Sequence, residues 1–205
     1  PNLDSNEEVI EYLIKAIQSA NFSYGKDIFI SLDCAASEFF DGKNYILNAT
    51  DETFSSDGLV DYYVKLIKKF DIKSIEDPLH EDDWDGWIKL TRELNGVQIV
   101  GDDIFVTQRE LLKKGIDSHA GNAILIKPNQ VGTLTESLES IQLAKENKFN
   151  TIISHRSGET EDPFIADLAV GVDAKQIKTG APSRSDRNSK YNRLLIIENE
   201  LYPKK

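Results

Sequence analysis

Six short apolar runs recur along the 205 residues, separated by longer stretches with helical periodicity. They are Ile28 to Leu32, Ile72 to Ile75, Val97 to Val100, Ala123 to Ile126, Thr151 to Ile153 and Gln176 to Ile177. Most are rich in β-branched residues and bounded by polar or Gly-containing segments, which reads as strands of a parallel sheet. Between them, helical faces are marked by Val9, Ile10, Leu13, Ile14 and Ile17, and by Leu59, Tyr63, Leu66, Ile67 and Phe70. Further helices are expected around Trp84 to Leu94, Arg109 to Lys114, Leu134 to Glu146, Pro163 to Gly171, and from Arg184 to about Glu200. Ser5 and Glu8 stand in capping-box spacing before the first helix, and Asp41-Gly42 reads as a tight turn. The units recur without a fixed period and without a linker, which favours an α/β barrel arrangement over a solenoid.

An ionisable residue sits at or just after the end of each run: Asp33, Glu76, Asp102, Lys127, His155 and Lys178. In a β/α barrel the strands' carboxyl ends share one mouth, so these six side chains are expected in one cavity. Three acids from successive strand ends form an oxygen-only set suited to a hard cation such as Mg²⁺. Asp77 follows Glu76 and Asp103 follows Asp102, so position alone leaves the choice within each pair open. A lysine that ends a buried strand inside a cavity loses solvation, which lowers its pKa and makes it a usable base; a snorkelling surface lysine is the alternative for Lys127 and for Lys178. His155, Arg156 and Ser157 lie together beside Gly158, where Arg156 offers a bidentate fork to a phosphate. His80 and His119 sit in polar contexts and receive no role. Cys34 directly follows a candidate ligand, and strand alternation turns it away from the mouth, as a structural thiol.

Composition narrows the partners. A net charge of −11 argues against broad nucleic-acid binding. The single cysteine rules out an internal disulfide framework and fits a reducing compartment. No apolar run approaches the ~20 residues of a membrane helix, so no membrane span is expected, and no signal peptide is read. The chain opens on Pro1 and contains no Met, the pattern expected of a processed or truncated product. Six strands also fall short of the usual eight of a complete barrel. The expectation is therefore that residues 1–205 form the C-terminal part of a barrel domain, with two further strands supplied upstream.

Six segments together resemble the enolases. They are Ser31-Leu32-Asp33-Cys34-Ala35-Ala36-Ser37-Glu38-Phe39, Ile75-Glu76-Asp77-Pro78, Gly101-Asp102-Asp103, Lys127-Pro128-Asn129-Gln130-Val131-Gly132-Thr133, Ser154-His155-Arg156-Ser157-Gly158-Glu159-Thr160-Glu161-Asp162 and Gln176-Ile177-Lys178-Thr179-Gly180-Ala181-Pro182. They occur in enolase order along the whole chain. The resemblance implies a partial TIM-type barrel, the (βα)6 portion of a ββαα(βα)6 barrel whose first two strands, with a separate N-terminal domain, lie outside this chain. It implies a hydro-lyase acting in glycolysis and gluconeogenesis, converting 2-phospho-D-glycerate reversibly to phosphoenolpyruvate with Mg²⁺ held by Asp33, Glu76 and Asp102. Lys127 is then the base that takes the C2 proton, and Lys178 binds the substrate carboxylate and steadies the enolate-like intermediate. Arg156 and Ser157 hold the phosphate, with His155 beside them.

The resemblance also implies a cytoplasmic homodimer, and it places the general-acid Glu upstream of Pro1, so the 205 residues alone are expected to be almost inactive. Another proton-abstracting member of the enolase superfamily is the nearest alternative; the Ser-His-Arg-Ser run argues against it, because a substrate without phosphate has no use for that loop. A further reading is plasminogen binding by a secreted or cell-surface form, through the terminal Lys204-Lys205.

Overall fold

The computed structural model describes residues 3–203, which excludes the Lys204-Lys205 pair from structural description. The chain forms two compact units, Pro1–Ile104 with Asp117–Asn122, and Phe105–Ile116 with Ala123–Lys205.

The first unit begins with helix α1 (Asn6–Ser19), capped by the Ser5 hydroxyl, which accepts the Glu8 N–H at 3.1 Å. The Glu8 carboxylate reaches back to the Asp4 N–H at 2.8 Å, one residue earlier than in a standard capping box. Strand β1 (Ser31–Asp33) leads into a 3-10 turn (Ala36–Phe39) and an antiparallel hairpin, β2 (Tyr45–Leu47) and β3 (Glu52–Phe54). The turn entering the hairpin is the one expected at Asp41-Gly42: Asp41 N–H donates to Asn44 O at 2.9 Å, and Gly42 adopts φ +97°, open to glycine without strain. Helix α2 (Ser56–Phe70), strand β4 (Ser74–Glu76), helix α3 (Trp84–Glu93) and strand β5 (Gln98–Gly101) follow. β1 pairs with β4 and β4 with β5, both in parallel. The expected face of α2 is buried as read, and with Ile75, Trp87, Leu90 and Ile99 it forms the core; each fully buried side chain contributes ~1.5–3 kcal/mol. Gly86 lets α3 lie close to α2, since a Cβ there would stand 2.5 Å from Ser56 Oγ.

The second unit takes most of helix α4 (Arg109–Ser118), then strand β6 (Ala123–Ile126), a single turn α5 (Pro128–Val131) and helix α6 (Leu134–Glu146). Strand β7 (Asn150–Ser154), helix α7 (Phe164–Gly171), strand β8 (Lys175–Lys178) and helix α8 (Ser185–Leu201) complete it. β6–β7 and β7–β8 are parallel pairs. All four residues of β6 are buried, as in a parallel strand covered on both faces. The class is α/β, with three parallel strands in each unit. Strand ends differ from the sequence reading by up to three residues: β1 starts at Ser31 rather than Ile28, and β1 and β4 extend through their terminal acids rather than stopping before them. The hairpin and the turn α5 are additions that hydrophobic periodicity did not signal. No helix among the described residues is long and apolar enough to cross a membrane.

Candidate active site

In the first unit Glu76 and Asp102 gather at strand carboxyl ends, whereas Asp33, at the end of β1, is exposed and lies outside their close group. Glu76 closes β4 and Asp102 follows β5, both only 6 % exposed. Candidate ligand oxygens of Glu76, Asp77 and Asp102 all lie within 4.8 Å of one another. Asp33 is the register partner of Glu76, so its side chain emerges from the same pleat on the neighbouring strand. Asp103, open as an alternative in the sequence, is exposed, whereas Asp102 is buried. A buried, oxygen-only set of like charges is costly without a compensating cation. Its donor chemistry fits Mg²⁺.

Asp77 has a distinct job. Its two carboxylate oxygens accept the backbone N–H groups of Asp102 at 2.9 Å and Asp103 at 3.0 Å, and its own backbone is left-handed, φ 42°. Burial pushes its pKa up to about 8, against the pull of these two N–H donors. Asp77 thus clasps the segment that carries Asp102. Asp77→Asn keeps the size but offers one acceptor oxygen to two donors, leaving a buried N–H unpaired at a cost of ~1–3 kcal/mol. The expected result is a lower melting temperature and Mg²⁺ affinity weakened by about 10–100-fold, the usual effect of losing an outer-shell partner. Thermal melts and calorimetric Mg²⁺ titration check it; unchanged values in both would remove the clasp.

Cys34 is no nucleophile. Burial of its sulfur pushes the thiol up to about 12, and the neighbouring carboxylates of Asp33, Asp77 and Glu76 push the same way against a hydrogen bond from Tyr63.

The second unit gathers the bases. Lys127 follows β6, His155 follows β7 and Lys178 ends β8. All three are half-buried. The Lys127 backbone is held by its N–H donating to Thr107 Oγ1 at 2.9 Å, and His155 N–H donates to Lys178 O at 2.9 Å, tying the ends of β7 and β8 together. Burial lowers the His155 pKa, and the positive charges of Arg187 and Lys178 lower it further, so the ring is neutral near pH 7. Arg156 is half-buried and Ser157 exposed, as groups that meet a ligand must be. Their backbone is shaped by Glu159, which accepts the Arg156 N–H at 3.2 Å. Burial alone would raise Glu159, but Lys190 and this N–H hold it below the usual carboxylate range. Glu159, Arg187 and Lys190 received no role from the sequence; among charged residues on a loop and a polar helix, nothing in their spacing distinguishes them from solvated ones.

Residues 1–204 match the family model for the enolase C-terminal TIM barrel domain. The chain belongs to the enolase family. It is 51% identical over 203 residues to an enolase of Natranaerobius thermophilus, a match that covers 98% of this chain and 48% of that protein. The chain therefore spans about half the length of its enolase relative. Membership carries the α/β barrel class, in agreement with the alternation read from the sequence.

Proposed function

We propose that this chain is the barrel portion of a glycolytic enolase, a cytoplasmic and dimeric hydro-lyase that interconverts 2-phosphoglycerate and phosphoenolpyruvate. The observation that carries the reading is the buried carboxylate cluster at the ends of β4 and β5, in a chain of the enolase family. Asp33, Glu76 and Asp102 are the ligands of Mg²⁺, and bound Mg²⁺ supplies electrostatic stabilisation for charge building on the substrate carboxylate.

The remaining work falls to the bases. Lys127 Nζ takes the proton from C2, adjacent to a carboxylate, so negative charge accumulates on that carboxylate. Lys178 places its ammonium against this charge. Arg156 and Ser157 hold the phosphate, a planar fork and a hydroxyl against a tetrahedral dianion, while neutral His155 contributes a hydrogen bond rather than a charge. Expulsion of the C3 hydroxyl as water requires a proton donor, and the enolase resemblance assigns that donor to a Glu outside these 205 residues.

The test is Mg²⁺-dependent formation of phosphoenolpyruvate from 2-phosphoglycerate, comparing the full-length protein with a chain whose intact mass confirms these 205 residues. Turnover by the full-length protein, with little by the chain alone, is expected. Turnover by neither would overturn the enolase reading, and full turnover by the chain alone would relocate the general acid. A second reading is plasminogen capture by a secreted or surface form through Lys204 and Lys205, for which an ordinary solvated lysine pair is the commoner alternative. Deleting both lysines should abolish that binding, and retained binding would dismiss it.

A further inference from the structure

Helix α8 presents two buried cations to the loop that follows β7. Lys190 is 0 % exposed, and its three ammonium hydrogens meet three acceptors: Thr160 O at 2.5 Å, Asp186 O at 2.7 Å and Glu159 Oε2 at 2.7 Å. Arg187, 8 % exposed, spreads its guanidinium over three consecutive residues. Nη1 donates to Arg156 O at 2.9 Å and hydrogen-bonds His155 Nδ1, while Nη2 donates to Ser157 O at 3.1 Å. The Arg187 stem runs against Gly180, where a Cβ would stand 3.1 Å from Arg187 Cδ and 3.2 Å from Cγ. Gly180, at φ +78°, therefore serves both the turn after β8 and the passage of this side chain.

A guanidinium has five N–H donors and no acceptor. His155 Nδ1 must consequently be the acceptor in its contact with Arg187, and the ring proton of the neutral imidazole lies on Nε2. We propose that Arg187 is a positioning residue that sets the Nε2–H tautomer of His155 and holds the Arg156–Ser157 backbone in its phosphate-receiving shape. The proposal rests on the phosphate-binding reading of that loop given above. Burial and the adjacent cations lower the His155 pKa, which keeps the ring in the neutral form that a tautomer choice requires. Arginine suits the position because one planar fork reaches three acceptors at fixed angles, whereas an ammonium is a compact point donor.

Two readouts in the intact protein test this. The first is the ¹⁵N NMR signature of His155, assigned by its loss in His155→Gln. In the unmodified protein a bare Nδ1 and a protonated Nε2 are expected; a protonated Nδ1 overturns the proposal, without need of any Arg187 variant. The second is affinity for inorganic phosphate in Arg187→Met, Arg187→Lys and the control Arg156→Met. Arg187→Met keeps the stem beside Gly180 but removes every donor. It should give a mixture of His155 tautomers and weaken phosphate about tenfold or more, with Arg187→Lys in between.

An unchanged tautomer with phosphate affinity within about twofold of the unmodified protein, in folded Arg187→Met, overturns the positioning role. If Arg187→Met does not fold, Arg187→Lys is judged by the same two readouts. If Arg156→Met leaves phosphate binding intact, the phosphate reading of the loop fails separately. The tautomer result then decides Arg187 by itself.

Discussion

Lys127→Ala should lower kcat for dehydration of 2-phosphoglycerate by about 10²–10⁴-fold, the range for one positioned base. The proton it would take is weakly acidic because its removal adds charge beside an existing carboxylate, so little of the reaction survives without a base placed at C2. Lys127 follows a fully buried strand and begins the turn α5, with its backbone fixed through Thr107. Its side chain is only half-buried, so truncation should cost little stability and the melting temperature should hold. The decisive measurement is exchange of the C2 hydrogen of 2-phosphoglycerate with deuterated solvent. A base at C2 catalyses this exchange even when later steps are slow. Exchange should collapse together with kcat in Lys127→Ala, and exchange at the unmodified rate would assign the base elsewhere.

Glu76→Gln and Asp102→Asn should each abolish measurable turnover and weaken Mg²⁺ binding by more than the ~10–100-fold typical of outer-shell partners. The two carboxylates are 6 % exposed and lie together beside Asp77, so without a cation their two negative charges repel each other in a poorly solvating environment. Removing one charge relieves that repulsion. The metal-free variants should therefore melt at or slightly above the temperature of the metal-free parent, while losing the rise that Mg²⁺ gives the parent by binding the folded state. Thermal melts with and without Mg²⁺, alongside calorimetric titration, separate the two effects. Parent-like Mg²⁺ affinity in both variants would remove these carboxylates from the metal site. A stability loss in the metal-free state would instead make them structural.

Much of the architecture was legible because hydrophobic periodicity reports burial directly. The run Ala123 to Ile126 became β6 without a shift, and Leu134 to Glu146 became α6 with both ends as read. The hairpin β2–β3 was not legible. Each strand has only three residues, too few for period-two alternation to stand out, and its register depends on the turn between Leu47 and Glu52, where Thr50 N–H donates to Leu47 O at 3.2 Å. The acids and bases were legible as strand-end residues; the roles given to them above are those the enolase resemblance implies.

The division between paired acids lay elsewhere. Glu76 and Asp77 are neighbours of the same chemistry, yet Asp77 spends both oxygens on backbone N–H groups contributed from beyond β5. Likewise Arg187 and Lys190 look like ordinary solvent-facing charges of a polar helix until α8 lies against the loop after β7 and buries them. The amino-acid order by itself determined the strand–helix alternation, the positions of the ionisable residues at strand ends and the family, because these depend on local pattern. Only the tertiary structure decided which acid clasps a backbone and which cations shape the His155–Ser157 loop, because a hydrogen-bond partner distant in the chain is chosen by packing.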